Sequence, residues 1–175
     1  MRKKERFSKI ITFIFFIFFS GWIIIQFISP IVLPYNSIND LSGITGFYDN
    51  KKMVDKIPFP INFVYSSGDI FCHQKSDRSL YINGNQMPFC SRCTAIWLGI
   101  AIGLGFMVFY AISLNNKLLV VIILGILPLA IDGVGQLLGF WESTNLIRVI
   151  TGLITGLICG LAIGVILDEL ALFKK

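Results

Sequence analysis

Residues 69–97 read Asp-Ile-Phe-Cys-His-Gln-Lys-Ser-Asp-Arg-Ser-Leu-Tyr-Ile-Asn-Gly-Asn-Gln-Met-Pro-Phe-Cys-Ser-Arg-Cys-Thr-Ala-Ile-Trp. The stretch holds Cys72, Cys90 and Cys93, three of the four cysteines, and the only histidine, His73. From Thr94 it runs straight into an apolar segment that continues to Leu114. Residues able to do chemistry thus sit at the mouth of what reads as a membrane helix, because an apolar run of about 18 or more residues matches the hydrocarbon core of a bilayer.

Outward from there, the apolar blocks repeat. Ile10–Ile28 precedes the stretch and follows a basic start with Arg2, Lys3, Lys4, Arg6 and Lys9. It is longer than the core of a secretory signal and no small-x-small cleavage pattern follows, so it reads as a retained helix with its N-terminus cytoplasmic. Ser29-Pro30 and Pro34 are expected to end it. Leu118 to about Phe140 and about Leu146 to Leu167 supply two further spans, the first with Pro128 inside it. With 55% hydrophobic residues, the expected fold is an all-α polytopic membrane protein with about four transmembrane helices. It has a Cys/His-containing hairpin on the outer face and both termini cytoplasmic in the cell membrane. We divide it into an anchor (1–33), an extracytoplasmic spacer (34–68), the hairpin (69–94) and a three-helix membrane core (95–175).

The formal charge of +5 does not point to nucleic acid, since the basic residues flank membrane segments and form no stripe with interleaved aromatics. Membrane lipids are the expected surroundings. The spacer carries turn signals at Ser42-Gly43, Asp49-Asn50 and Ser66-Ser67-Gly68. Its apolar patch Ile57–Tyr65 is too short to span and is expected at the interface or partway into the bundle. Asn83-Gly84 between short apolar pieces signals a type I′ hairpin, which would carry Cys72 back towards Cys90.

Small residues recur every fourth position at Gly152, Gly156, Gly160 and Gly164, and again at Ala95, Gly99 and Gly103. Such ladders let helix backbones approach closely in lipid. A packing groove within one bundle is the preferred reading and a homodimer face the alternative. Cys159 reads as a buried spectator thiol.

Cys72, Cys90 and Cys93, with His73 as ligand or neighbour, admit three chemistries. Three thiolates suit zinc, with a fourth position open or completed by His73, although the adjacency of Cys72 and His73 makes it awkward for both to reach one ion. A C-x-x-C pair opening a helix beside Arg92 also suits a membrane thiol–disulfide oxidoreductase. A structural disulfide from Cys72 is the third, and spacing alone does not separate them.

A second constellation is Asp132, Gln136 and Arg148. Asp132 and Gln136 are four apart and share a helix face, and a carboxylate in the apolar zone is expected to face the bundle or a cavity. Arg148 lies in a helix first turn, where the dipole disfavours a cation. It is expected to have an anionic partner: Asp132, Glu142 or an anionic ligand. These residues are the candidates for orienting a small-molecule or lipid substrate. Arg78, Arg92 and Arg148 together could also recognise an anionic lipid headgroup. Ser91 is expected to cap the helix after the cysteines, and Ser143 or Thr144 the helix after the 141–145 turn. No phosphate-binding glycine loop, paired-histidine protease signature or nucleophile-elbow serine occurs.

Cys72-His-Gln, Arg78-Ser79, Asn83-Gly84-x-Gln86, Cys90-Ser-Arg-Cys93-Thr94 and Gly99, followed by Asp132-Gly133, Gln136, Glu142-Ser143-Thr144-Asn145, Arg148 and Thr151-Gly152, resemble the prokaryotic integral membrane protein family known as domain of unknown function 2085. The resemblance covers about Phe71 to Gly160. It implies a membrane protein and assigns no reaction.

Overall fold

The structure, a computed structural model, describes residues 3–173 apart from Ser42, with side chains between residues 6 and 171. The basic side chains of Arg2, Lys3, Lys4, Lys174 and Lys175 and the turn signal at Ser42 lie outside these. The described residues form six helices, a 3₁₀ turn at Ser76–Arg78 and a two-stranded hairpin. The helices are α1 (Lys3–Val32), α2 (Lys51–Val54), α3 (Ile61–Phe71), α4 (Ser91–Phe109), α5 (Asn116–Leu137) and α6 (Asn145–Phe173); the strands are β1 (Ser79–Ile82) and β2 (Asn85–Cys90). Segments Arg6–Val32, Ser91–Phe109, Asn116–Leu137 and Asn145–Ala171 are each long and apolar enough to cross a membrane.

Successive spanning helices alternate in direction, so the start of α1 and the end of α6 meet at one end of the bundle. There Ser8 donates to Asp168, and Lys9 lies 3.8 Å from Asp168. The cysteines lie at the other end.

The helix ends show where tertiary contacts override local signals. Pro30 does not end α1, which continues to Val32. So near the C-terminus the ring removes little of the ladder, and the Pro30 carbonyl accepts from Asn85 Nδ2 at 3.0 Å. Helix α4 starts at Ser91 and stops at Phe109, five residues short of Leu114, because Lys9 Nζ takes the carbonyls of Met107 and Tyr110. Asn115 caps α5 by accepting from the Leu118 N–H at 2.9 Å. Gly139, with φ +76°, ends it before Phe140 as the Gly139 and Phe140 N–H groups fold back onto the Gln136 and Gly135 carbonyls.

The glycine ladders pack against each other inside the chain. A Cβ on Gly156 would lie 2.2 Å from the Ile96 carbonyl oxygen, and one on Gly99 would lie 2.5 Å from that of Leu153. Gly103 and Gly160 are just as close to the facing backbone. This is the groove within one bundle. Cys159 is half-buried on α6.

The spacer folds into a cap. Leu33, Ile38, Leu41, Val54, Ile57 and Tyr65 form a buried cluster under it. The Ile57–Tyr65 patch is part of this cap: its second half is the first turn of α3, with Val64 and Tyr65 fully buried. Gly68 brings α3 onto β2, since a Cβ there would meet the Pro88 carbonyl oxygen at 1.8 Å. The stretch 69–94 therefore comprises the end of α3, the 3₁₀ turn, the hairpin and the start of α4. The type I′ turn is present, with Asn83 at φ +54° and Gly84 at φ +70°.

Candidate functional site

A buried polar scaffold positions the cysteines. Asn85, Gln86 and Gln74 are fully buried. Asn85 accepts from the Ser37 and Ile38 N–H groups and donates to the Pro30 and Pro34 carbonyls. Gln86 donates to the Gln74 carbonyl at 2.6 Å and accepts from the Leu41 N–H at 2.9 Å. Gln74 in turn donates to the Pro88 and Tyr65 carbonyls. These amides supply at depth the hydrogen bonds that a loop-rich cap otherwise lacks. Asp69 does the same by accepting from Asn50 N and Nδ2.

On this scaffold Ser79 pairs with Cys90 across the hairpin, and Cys72, just past α3, lies under Cys90. The Cys90 N–H donates to Cys72 Sγ at 3.3 Å. Cys93, one helical turn on, completes the group: the Cys72, Cys90 and Cys93 sulfurs all lie within 4.8 Å of one another. All four cysteines are free thiols. Hydrogen bonding draws the Cys90 pKa well below the ordinary thiol value. Cys90 accepts from the Cys72 and Cys93 side chains and from the Cys93 and Arg92 N–H groups. Cys72 is correspondingly pushed up to about 11, first by its hydrogen bond with Cys90. His73 is not in the trio. It is exposed on the rim, its Nδ1 3.3 Å from Thr45 Oγ1.

The second constellation meets the first, with a change of partners. Asp132 is buried and pairs with Arg92 rather than Arg148. It also accepts from Ser143 Oγ at 2.9 Å and Trp141 Nε1 at 3.4 Å. The reason is placement: Arg92, in the first turn of α4, faces α5 directly. Arg148, in the first turn of α6, also lines the pocket, with Asn145 Oδ1 at 3.4 Å as its hydrogen-bond acceptor. Glu142 is exposed and makes no ion pair among the described residues. Ser143 is thus taken by Asp132, and Thr144 is the cap, accepting from the Ile147 N–H. Ser91 does not cap α4 through its side chain. Cys90 holds that position, and Ser91 donates to the Arg78 carbonyl and to Asn145 Oδ1.

The result is one small pocket of about 160 Å³ with the thiols along one wall. Cys72, His73, Cys90, Cys93, Gln136 and Arg148 all line it, together with Lys75, Arg78 and Arg92. Thr45 and Phe71 also contribute; no residue pattern marks either as a site residue, because the loop carrying Thr45 reaches the pocket only through the cap.

Residues 72–165 match the family described as a predicted membrane protein, DUF2085. The chain belongs to that family. The DUF2085 region begins at the first cysteine of the trio and contains the hairpin, α4, α5 and most of α6, so α1 and the cap lie outside it. An uncharacterized protein of Methanocaldococcus jannaschii is 36% identical over 96 residues, 51% of this chain and 58% of that protein's length. An uncharacterized protein of Methanothermobacter thermautotrophicus is 36% identical over 82 residues, 47% of this chain and 74% of its own. The chain therefore spans under two thirds of the first relative's length. No solved structure matches it. With four spanning helices, this DUF2085 member is a multi-pass membrane protein.

Proposed function

We propose that the pocket is a metal-centred site in which Cys72, Cys90 and Cys93 hold a zinc ion. The single observation supporting this is the thiol trio itself. Sulfurs bound at about 2.3 Å to a common tetrahedral ion stand about 3.8 Å apart, and these lie within 4.8 Å of one another, so a small rotation of the side chains completes the set. They come from three different elements, which fixes the site through the fold. The soft donor set favours zinc over harder cations. With three protein ligands, the fourth position faces the pocket, where a bound ion would act as a Lewis acid towards a ligand. His73 stands at the rim as a neighbour of that position. Asp132, held by Arg92, keeps Gln136 and the start of the 141–145 turn in place, and Arg148, which lines the same pocket as the thiols, is the residue that meets the ligand.

The basic flank of the first helix supports an orientation with both termini in the cytoplasm and the pocket on the outer face of the cell membrane. The full-length chain purified in detergent should carry about one zinc per chain by elemental analysis, and Cys93→Ser should lose it. Folded wild-type protein without metal overturns the proposal.

A second reading, thiol–disulfide exchange, draws on the position of Cys90 as the N-cap of α4 with Cys93 one turn on. In it, the two thiols pass two electrons and two protons to a partner disulfide, leaving a Cys90–Cys93 disulfide. Trapping in cells separates the two: Cys90 and Cys93 change state together under this reading and stay unoxidised under the metal reading.

A further inference from the structure

Arg148 is only 4% exposed. It lies in the first turn of α6, where the helix dipole opposes a cation, and among the described residues no carboxylate lies within ion-pair distance of it. A buried guanidinium without an anion is expensive, yet Arg148 opens onto a pocket rather than onto packed side chains. Other groups around that pocket are short of acceptors too. Gln136 Nε2 and Arg92 Nε are both buried without a hydrogen-bond partner. Arg78 Nε has only Asp77, at 3.5 Å.

The charges do not balance within the pocket. Arg92 is matched by Asp132 and Arg78 by Asp77, which leaves Lys75 and Arg148. Three thiolates around a divalent ion carry one net negative charge, so one cation remains unmatched even with the metal in place.

We infer that this pocket binds a phosphate-class oxyanion, with Arg148 as its main counter-charge and Gln136 and Arg78 as further donors. Guanidinium groups offer such anions paired N–H donors in fixed geometry, and a volume of about 160 Å³ accommodates a tetrahedral anion but little more. The inference rests on the pocket of the proposed function but not on its metal. The anion reaches the pocket either free or as a lipid headgroup. Phe71 walls both this pocket and an aromatic crevice of about 480 Å³ formed by Trp22, Phe63, Phe89 and Trp97, so an acyl chain has a place beside the headgroup.

The full-length chain in detergent is titrated calorimetrically with inorganic phosphate and, separately, with short-chain phosphatidic acid, and its zinc content is measured in parallel. At least one titration should saturate near one ligand per chain. Arg148→Gln should weaken it by at least about tenfold, the size expected for a lost charged hydrogen bond, with zinc content unchanged. Gln136→Ala, which alters no charge, should weaken it by a smaller factor and decides the matter where Arg148→Gln does not fold. Saturation by phosphate identifies a free anion. Saturation by phosphatidic acid alone identifies a headgroup, and Trp97→Ala should then weaken it as well. No saturation with either ligand overturns the inference and leaves the metal reading standing. Loss of zinc from Arg148→Gln also overturns it, since Arg148 would then serve the thiolates. Zinc-free protein that still binds the anion retains the inference and removes the metal reading.

Discussion

Arg92 on α4 and Asp132 on α5 form an ion pair, its carboxylate buried and its guanidinium half-buried, at the end of the bundle that carries the thiols. With Ser143 and Trp141 also bound to Asp132, the pair ties α4, α5 and the 141–145 turn to one point. It thereby fixes the α4 residue Cys93 and the α5 residue Gln136 relative to each other, and both line the pocket.

Removing one partner should therefore cost more than removing both. Asp132→Ala leaves Arg92 unpaired in a poorly solvated place and should lower stability by about 3 kcal/mol. The double variant Arg92→Met/Asp132→Leu should recover most of that loss. Thermal unfolding of the three proteins in one detergent measures this, and a double variant no better than Asp132→Ala would show that the pair is not the main term.

The glycine contacts between α4 and α6 should tolerate no added carbon. Gly156→Ala places a methyl 2.2 Å from the Ile96 carbonyl oxygen and should cost about 1–3 kcal/mol by forcing the helices apart. Gly21→Ala, on a face of α1 with nothing within 4 Å, is the control and should change stability by less than about 0.5 kcal/mol. Equal effects at the two positions would contradict the packing described.

The cap should depend on a single amide. Asn85→Ala removes the acceptor of the Ser37 and Ile38 N–H groups and the donor to the Pro30 and Pro34 carbonyls. The Ser37 N–H and the Pro34 carbonyl keep only their own 3.3 Å bond, and the loss should cost about 2–4 kcal/mol. Amide hydrogen exchange should then rise across residues 34–41, with the middle of α4 and α6 unaffected. Unchanged exchange in 34–41 would show that the cap is held by other contacts.

The four spans were legible because bilayer thickness imposes an apolar length that composition alone reveals, and the hairpin because only Asn-Gly readily takes positive φ at two successive positions. The places where sequence reading fell short share a cause. The early end of α4 depends on Lys9, far away in the chain, and the cap depends on Asn85 and Gln86, some 45 residues from the backbone they bind. The cap has no apolar period of its own, since much of its interior is amide hydrogen bonding rather than a greasy stripe. At the site, the convergence of cysteines, Asp132, Gln136 and Arg148 followed from alternation of the spans. Which arginine holds Asp132 did not, because Arg92 and Arg148 both lie in first turns and only the rotation of their helices separates them.

The central claim is the thiol-bound metal, and X-ray absorption at the zinc edge of the detergent-purified full chain tests it most directly. The predicted spectrum has three sulfur scatterers at about 2.3 Å and one nitrogen or oxygen neighbour at about 2.0 Å. A zinc shell of nitrogen and oxygen alone, or a folded protein retaining no metal to measure, would contradict it.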